Sequence, residues 1–179
     1  KLNFFKKASE TENIVKSLKD NKGVYLVPAF TGLGAPYWDA NARGVLSGLT
    51  RDTGPKEIIR ATIESVAYQT YDLFEAMKHD GLRPKLVKVD GGMVMNNWFS
   101  QFLSDIVDIK VLRPKVQETT ALGAAFMAGL QIGVYKSLKD ISKNWHLDKN
   151  FTTKINSKKR NSLVKGWATA IKKTLTNTI

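Results

Sequence analysis

Cysteine is absent from this 179-residue chain. That excludes disulfides, thiolate nucleophiles and zinc–thiolate sites, and makes a reducing cytoplasm the natural setting. Histidine is almost absent too: His79 and His146 stand in unrelated contexts without ligand spacing and read as surface or half-buried side chains. No apolar run approaches the roughly 20 residues needed to span a bilayer. The opening KLNFFKKASETEN is basic and carries two phenylalanines, but it has no sustained apolar block or small-residue cleavage site, so it does not read as a signal peptide. There is no methionine at position 1, and the chain is expected to be a piece of something longer.

Arginine is scarce for so basic a protein. The net charge is +12, yet of 28 basic residues only Arg43, Arg51, Arg60, Arg83, Arg113 and Arg160 are arginine. Base-edge readout favours the arginine fork, whereas lysine is mostly a hydrated point charge. The lysines are spread along the chain with a surplus toward its ends, so nucleic acid is not the expected partner.

With 42% hydrophobic residues, the chain can bury one substantial core and a small appendage. ETENIVKSLKD places Ile14, Val15 and Leu18 on one helical face. GVYLVPAF (Gly23 to Phe30) reads as a buried strand limited by Pro28, and TGLGAPYWDANARG as an aperiodic loop with its own shape. GVLSGL is a second short strand. The strongest helix runs from Pro55 to about Lys78, with Ile58, Ile59, Ile63, Val66, Leu73 and Phe74 at three- and four-residue steps. Leu86 to Val89 form a third strand, a helix from about Asn96 gathers Trp98, Phe99, Phe102, Leu103 and Ile106, and IKVLRP is a fourth strand. Thr119 or Thr120 is expected to cap ALGAAFMAGLQIGV, whose small residues predict close packing on a sheet or helix. The alternation of strand and helix points to an α/β domain in layers. Residues 1–22 read as a helical lead-in, 23–150 as the main unit, and 151–179 as a basic helical tail. That tail has seven basic and no acidic residues and a docking face of Leu163, Trp167, Ala168, Ile171 and Leu175.

The stretch KVDGGMVMNN carries the most suggestive chemistry. Gly91 and Gly92 lack Cβ atoms, so they can take φ > 0 and let a ligand approach the main chain. Their amides, with those opening the next helix, can face an anion. Asn96 can cap that helix or meet a sugar or base edge. Asp90 alone makes no metal site. Glu64, inside the long helix, is expected to pair with Arg60 four residues back. No nucleophile–base constellation, P-loop or complete GxGxxG is present.

Four stretches in order then resemble one family. VPAFTGLGAPYWDANARG (Val27 to Gly44), GVLSGLTRDTGPKEIIRATIE (Gly44 to Glu64), VDGGMVMNNWFSQFLSDI (Val89 to Ile106) and RPKVQETTALGAAFMAGL (Arg113 to Leu130) are similar to the FGGY family of carbohydrate kinases, with GLGAPYW typical of its glycerol kinase branch. The resemblance implies the C-terminal lobe of an actin/hexokinase/Hsp70-like (ribonuclease H-like) ATPase fold, incomplete on its N-terminal side. It implies ATP and Mg²⁺ as cofactors in the complete enzyme, with Gly92 and Asn96 binding nucleotide and Gly91 shaping the turn. It places the catalytic aspartate and the glycerol-binding residues upstream of the matched stretches, so an isolated chain is expected to be inactive. An N-terminal lobe and a second copy of the chain are both admissible partners. The alternatives are a lobe of another sugar kinase of the family and a non-catalytic basic nucleic-acid-binding module.

Overall fold

The computed structural model describes residues 4–176; the first three residues of the lead-in and the last three of the tail lie outside that range. Its spine is helix α2 (Pro55–His79). Pro55 sits at the first helical position, where its missing N–H costs nothing, and the Glu57 carboxylate accepts a hydrogen bond from the Gly54 amide at 2.9 Å. The helix buries Ile59, Ala61, Ala67 and Tyr68. It packs against α1 (Thr11–Lys16), α3 (Asn97–Val107) and strand β1 (Tyr25–Val27).

Two small sheets flank this spine. In the first, β1 runs antiparallel to β2 (Val45–Ser47), with Leu26 opposite Leu46. In the second, β3 (Leu86–Lys88) lies parallel to β4 (Lys110–Pro114), which pairs antiparallel with β5 (Leu147–Phe151). The connection from β3 to β4 is α3, whose Phe99, Phe102, Leu103, Ile106 and Val107 are buried. This βαβ unit is what puts the Asp90-Gly91-Gly92 turn at a sheet end beside a helix start.

Helix α6 (Ser157–Thr174) covers the first sheet. Trp167 is 1% exposed and stacks on Tyr68 with ring centroids 5.3 Å apart. Its indole N–H donates to the Asp72 carboxylate at 2.8 Å. The inward face differs in one position from the expected one: Ala168 is exposed, and Ala170 takes its place beside Ile171. The expected boundary after residue 150 falls inside β5.

Helix α4 (Thr119–Gln131) corrects two expectations. Glu118 occupies its N-cap position without a side-chain cap bond, while Thr119 is already helical. Its small residues do not bring it against a sheet: Ala121, Ala124, Ala125 and Ala128 are exposed. Gly129 alone has a local steric reason, since a Cβ there would meet the Tyr135 ring at 2.9 Å. The short helix α5 (Leu138–Ser142) and strand β5 were not legible in the sequence, β5 because Leu-Asp-Lys-Asn-Phe is polar and mostly exposed at a sheet edge.

The GLGAPYW loop is closed by paired bonds between Leu33 and Asp39, at 2.8 and 2.9 Å. The Asp39 carboxylate accepts hydrogen bonds from the amides of Thr176, Asn41 and Ala42. The Thr176 amide first, and then its hydroxyl and the other amides, hold the Asp39 carboxyl below the usual aspartate range. A depressed carboxyl stabilises the fold above its unfolded value, and that contribution disappears as pH falls through its folded value. Thermal melts should therefore drop in midpoint below about pH 4, and Asp39→Asn should be less stable at pH 7 with a flatter acid limb. An Asp39→Asn profile parallel to wild type from pH 5 to 2 would refute this.

Candidate functional site

Beyond β3 the chain makes one more ladder bond, Val89 amide to Leu112 carbonyl at 3.0 Å, and then turns away. Gly91 takes φ 84 and ψ 173, a region open essentially to glycine alone. Its amide is not free, because it donates to the Gln117 carbonyl at 3.2 Å. Gly91 therefore shapes the turn. Gly92 opens a 3-10 turn (Gly92–Met95) and is the bared position: it is exposed, and a Cβ there would meet nothing within 4 Å.

The turn is held from beneath by polar side chains. The Val94 carbonyl accepts from the Ser100 hydroxyl at 2.9 Å and from the Arg113 guanidinium at 2.8 Å. Arg113, 6% exposed, is paired with Asp148 at 2.7 Å. Such charge-assisted bonds fix a main-chain path more firmly than neutral ones.

Asn96 caps α3, its side-chain oxygen accepting from the Phe99 amide at 3.0 Å. Its NH₂ group turns the other way, 3.4 Å from the Thr11 hydroxyl. A cavity of about 560 Å³ lies between this turn and the lead-in segment, lined by Gly92, Met95 and Asn96 on one side and by Phe5, Ser9, Thr11 and Glu12 on the other. The structure thus brings Gly92 and Asn96 together at one cavity and leaves Gly91 behind it.

One expectation is corrected here. Two of the amides opening α3, those of Asn97 and Phe99, do not await an anion, because the chain supplies their acceptors. Asn96 takes the Phe99 amide, and the Glu12 carboxylate accepts from the Asn97 amide at 3.2 Å. Burial alone would raise the Glu12 carboxyl, but the hydrogen bonds from Lys16 and Asn97 outweigh it and hold it below the usual range. Thr11 and Glu12 were missed as site residues. Their Ser-Glu-Thr-Glu setting marks a helix start, but nothing local announces a partner 85 residues away.

A second cavity, of about 280 Å³, lies between α4 and α5, where the Lys88 ammonium sits 4.1 Å from the Trp145 ring centroid. Its walls are mostly side chains, with Gly123 of α4 among them. Among the described residues no group of three or more His, Asp or Glu side chains converges as a metal site.

Comparison with known proteins decides the family. The sequence pattern of the "FGGY family of carbohydrate kinases, C-terminal domain" matches residues 5–132, well over half of the chain. The chain belongs to the FGGY family of carbohydrate kinases. Among FGGY relatives, glycerol kinase 1 of Pseudomonas aeruginosa is 55% identical over 166 residues, covering 93% of this chain and 34% of that protein. A glycerol kinase of Clostridium botulinum is 50% identical over 175 residues, covering 97% of this chain and 35% of that protein. Among solved structures, a glycerol kinase of Plasmodium falciparum with ADP superposes with a TM-score of 0.86 at 35% identity, over 98% of this chain and 35% of that one. A xylulose kinase of Lactobacillus acidophilus shares the fold, with a TM-score of 0.75 at 24% identity, over 96% of this chain and 35% of that one. The chain spans about a third of the length of the curated FGGY relatives it matches.

Proposed function

We propose that this chain is the nucleotide-side portion of a kinase that transfers the γ-phosphoryl group of ATP to glycerol, giving glycerol 3-phosphate and ADP. One observation carries the reading. Gly92 and Asn96 line the same side of a cavity of nucleotide-compatible size, in a chain 35% identical to a glycerol kinase solved with ADP. In this reading Gly92 lets the nucleotide rest against main chain, while Asn96 presents its amide from a position fixed by the α3 cap. Phosphoryl transfer depends mainly on positioning and on charge stabilisation at the phosphates, and this chain supplies part of the first. Among the described residues no group of three or more acidic or histidine side chains gathers to hold the Mg²⁺ that accompanies ATP in such enzymes. The cysteine-free composition suits a cytoplasmic setting.

No residue of this chain is assigned to the acceptor hydroxyl or to its proton. The purified 179-residue protein is therefore expected to bind ADP and to form none from ATP in the presence of glycerol. A coupled ADP-release assay with and without glycerol, beside an ADP titration, tests both halves. Glycerol-dependent turnover would overturn the division of labour, and absence of ADP binding at millimolar concentration would overturn the nucleotide assignment.

A further inference from the structure

Glu12 is a charged residue on the wall of the Gly92–Asn96 cavity, in a chain of net charge +12 whose favoured ligand carries negative charge. A carboxylate in that place needs a reason. Part of it is structural, since the anion sits at the start of α3 and satisfies the Asn97 amide. The rest concerns what enters the cavity. The carboxylate has about four acceptor positions. The Asn97 amide, the Asn97 side chain and the Lys16 ammonium account for its partners among the described residues. Two of these fall on Oε1 and only the Asn97 amide on Oε2, so Oε2 retains acceptor capacity beside the cavity. With Asn96 holding the Phe99 amide as well, the α3 end offers a phosphate a carboxylate, shared with Lys16, and two amides that are already engaged.

We propose that Glu12 is a specificity-determining residue that turns phosphate away from the α3 end of the cavity and accepts a hydrogen bond from a neutral donor, a ribose hydroxyl or a base amine, so that the nucleoside lies there and the phosphates point outward. The proposal rests on the nucleotide reading above and adds a direction to it. The Asn97 and Lys16 contacts also keep the carboxylate in place when no ligand is bound, so the selectivity is built in beforehand.

The test titrates the full 179-residue protein with adenosine, ADP and inorganic pyrophosphate, following the Gly92 and Asn96 amide signals by NMR. Wild type should bind adenosine and ADP and reject pyrophosphate. Glu12→Gln keeps the shape and removes the charge. It should weaken adenosine by about tenfold and strengthen pyrophosphate by a similar factor. Inosine, which lacks the amine, and 2′,3′-dideoxyadenosine, which lacks the hydroxyls, identify the donor: the analogue insensitive to Glu12→Gln lacks the group that Glu12 meets. Glu12→Asp keeps the charge and should still reject pyrophosphate, which also covers the case of a poorly folded Glu12→Gln. Unchanged adenosine and pyrophosphate affinities in a folded Glu12→Gln, or admission of pyrophosphate by Glu12→Asp, overturn the proposal and leave the nucleotide reading standing. A wild type that binds neither ADP nor adenosine overturns both.

Discussion

Gly92→Val should weaken ADP binding by about 100-fold or more, roughly 2.7 kcal/mol, while the protein melts at nearly the wild-type temperature. Both halves follow from one observation. At Gly92 a side chain would meet no atom within 4 Å, and its φ lies outside the left-handed range, so the fold tolerates a branched residue. The same empty space is where the ligand must approach. An isopropyl group there would hold a nucleotide off the main chain and away from Asn96, and close packing leaves no slack to absorb it. Gly91→Val is the control with the opposite pattern. It carries φ 84 in a glycine-only region, and a side chain there should cost about 1–3 kcal/mol of stability. Calorimetric titration and thermal melts on the two variants separate the roles. Wild-type ADP affinity in Gly92→Val would remove Gly92 from the site.

Arg60→Ala should lower stability by roughly 3–5 kcal/mol. At about 2–4 °C per kcal/mol for a chain of this size, the melting midpoint should fall by roughly 6–20 °C. The carboxylate of Glu64 is 1% exposed and is held by Arg60 at 2.7 Å, with Asn21 donating at 2.9 Å and the Tyr68 hydroxyl at 3.4 Å. Burial pushes its carboxyl up, against the opposing pull of Arg60. Removing the guanidinium strands the acid in the core. The replacement of both partners by apolar residues, Arg60→Met with Glu64→Leu, should recover only part of the loss: the desolvation cost of both charges disappears, but the buried Asn21 and Tyr68 donors lose their acceptor. The Arg60 guanidinium also donates to the Leu18 carbonyl at 2.6 Å and lies 4.9 Å from the Trp98 ring centroid, tying the segment after α1 to α3. ADP affinity should therefore weaken in Arg60→Ala together with stability. A midpoint within 1 or 2 °C of wild type, on that scale, would show that the buried pair is dispensable.

Sequence pattern revealed α2, α3 and the strands β1 to β4, because each carries its own signal. Ile59 and Ala67 repeat at helical steps, Asn96 stands where a cap belongs, and Val87 and Val111 mark short strands, the second of them buried. The i to i+4 pair of Arg60 and Glu64 was legible for the same reason: it is local. What failed was the non-local and the weakly patterned. Strand β5 pairs only at an edge, so its composition is free to be polar. The exposed alanines of α4 look identical in sequence to alanines under a sheet, since smallness permits close approach without requiring it. At the candidate site the glycines were conspicuous because backbone geometry restricts them, whereas Glu12 was invisible because its partner, Asn97, is supplied by another part of the fold.

The contacts Thr11–Asn96 and Glu12–Asn97 join segments 85 residues apart. Between them the chain must first complete the β1–β2 hairpin, the whole of α2 and strand β3. Half-made chains consequently have no recess in which a nucleotide could be gripped, however well their local helices have formed. ADP would act as a late-stage gauge of conformational maturity: saturable binding would report that the polypeptide had reached its finished shape, and added nucleotide would draw the population toward that shape by mass action.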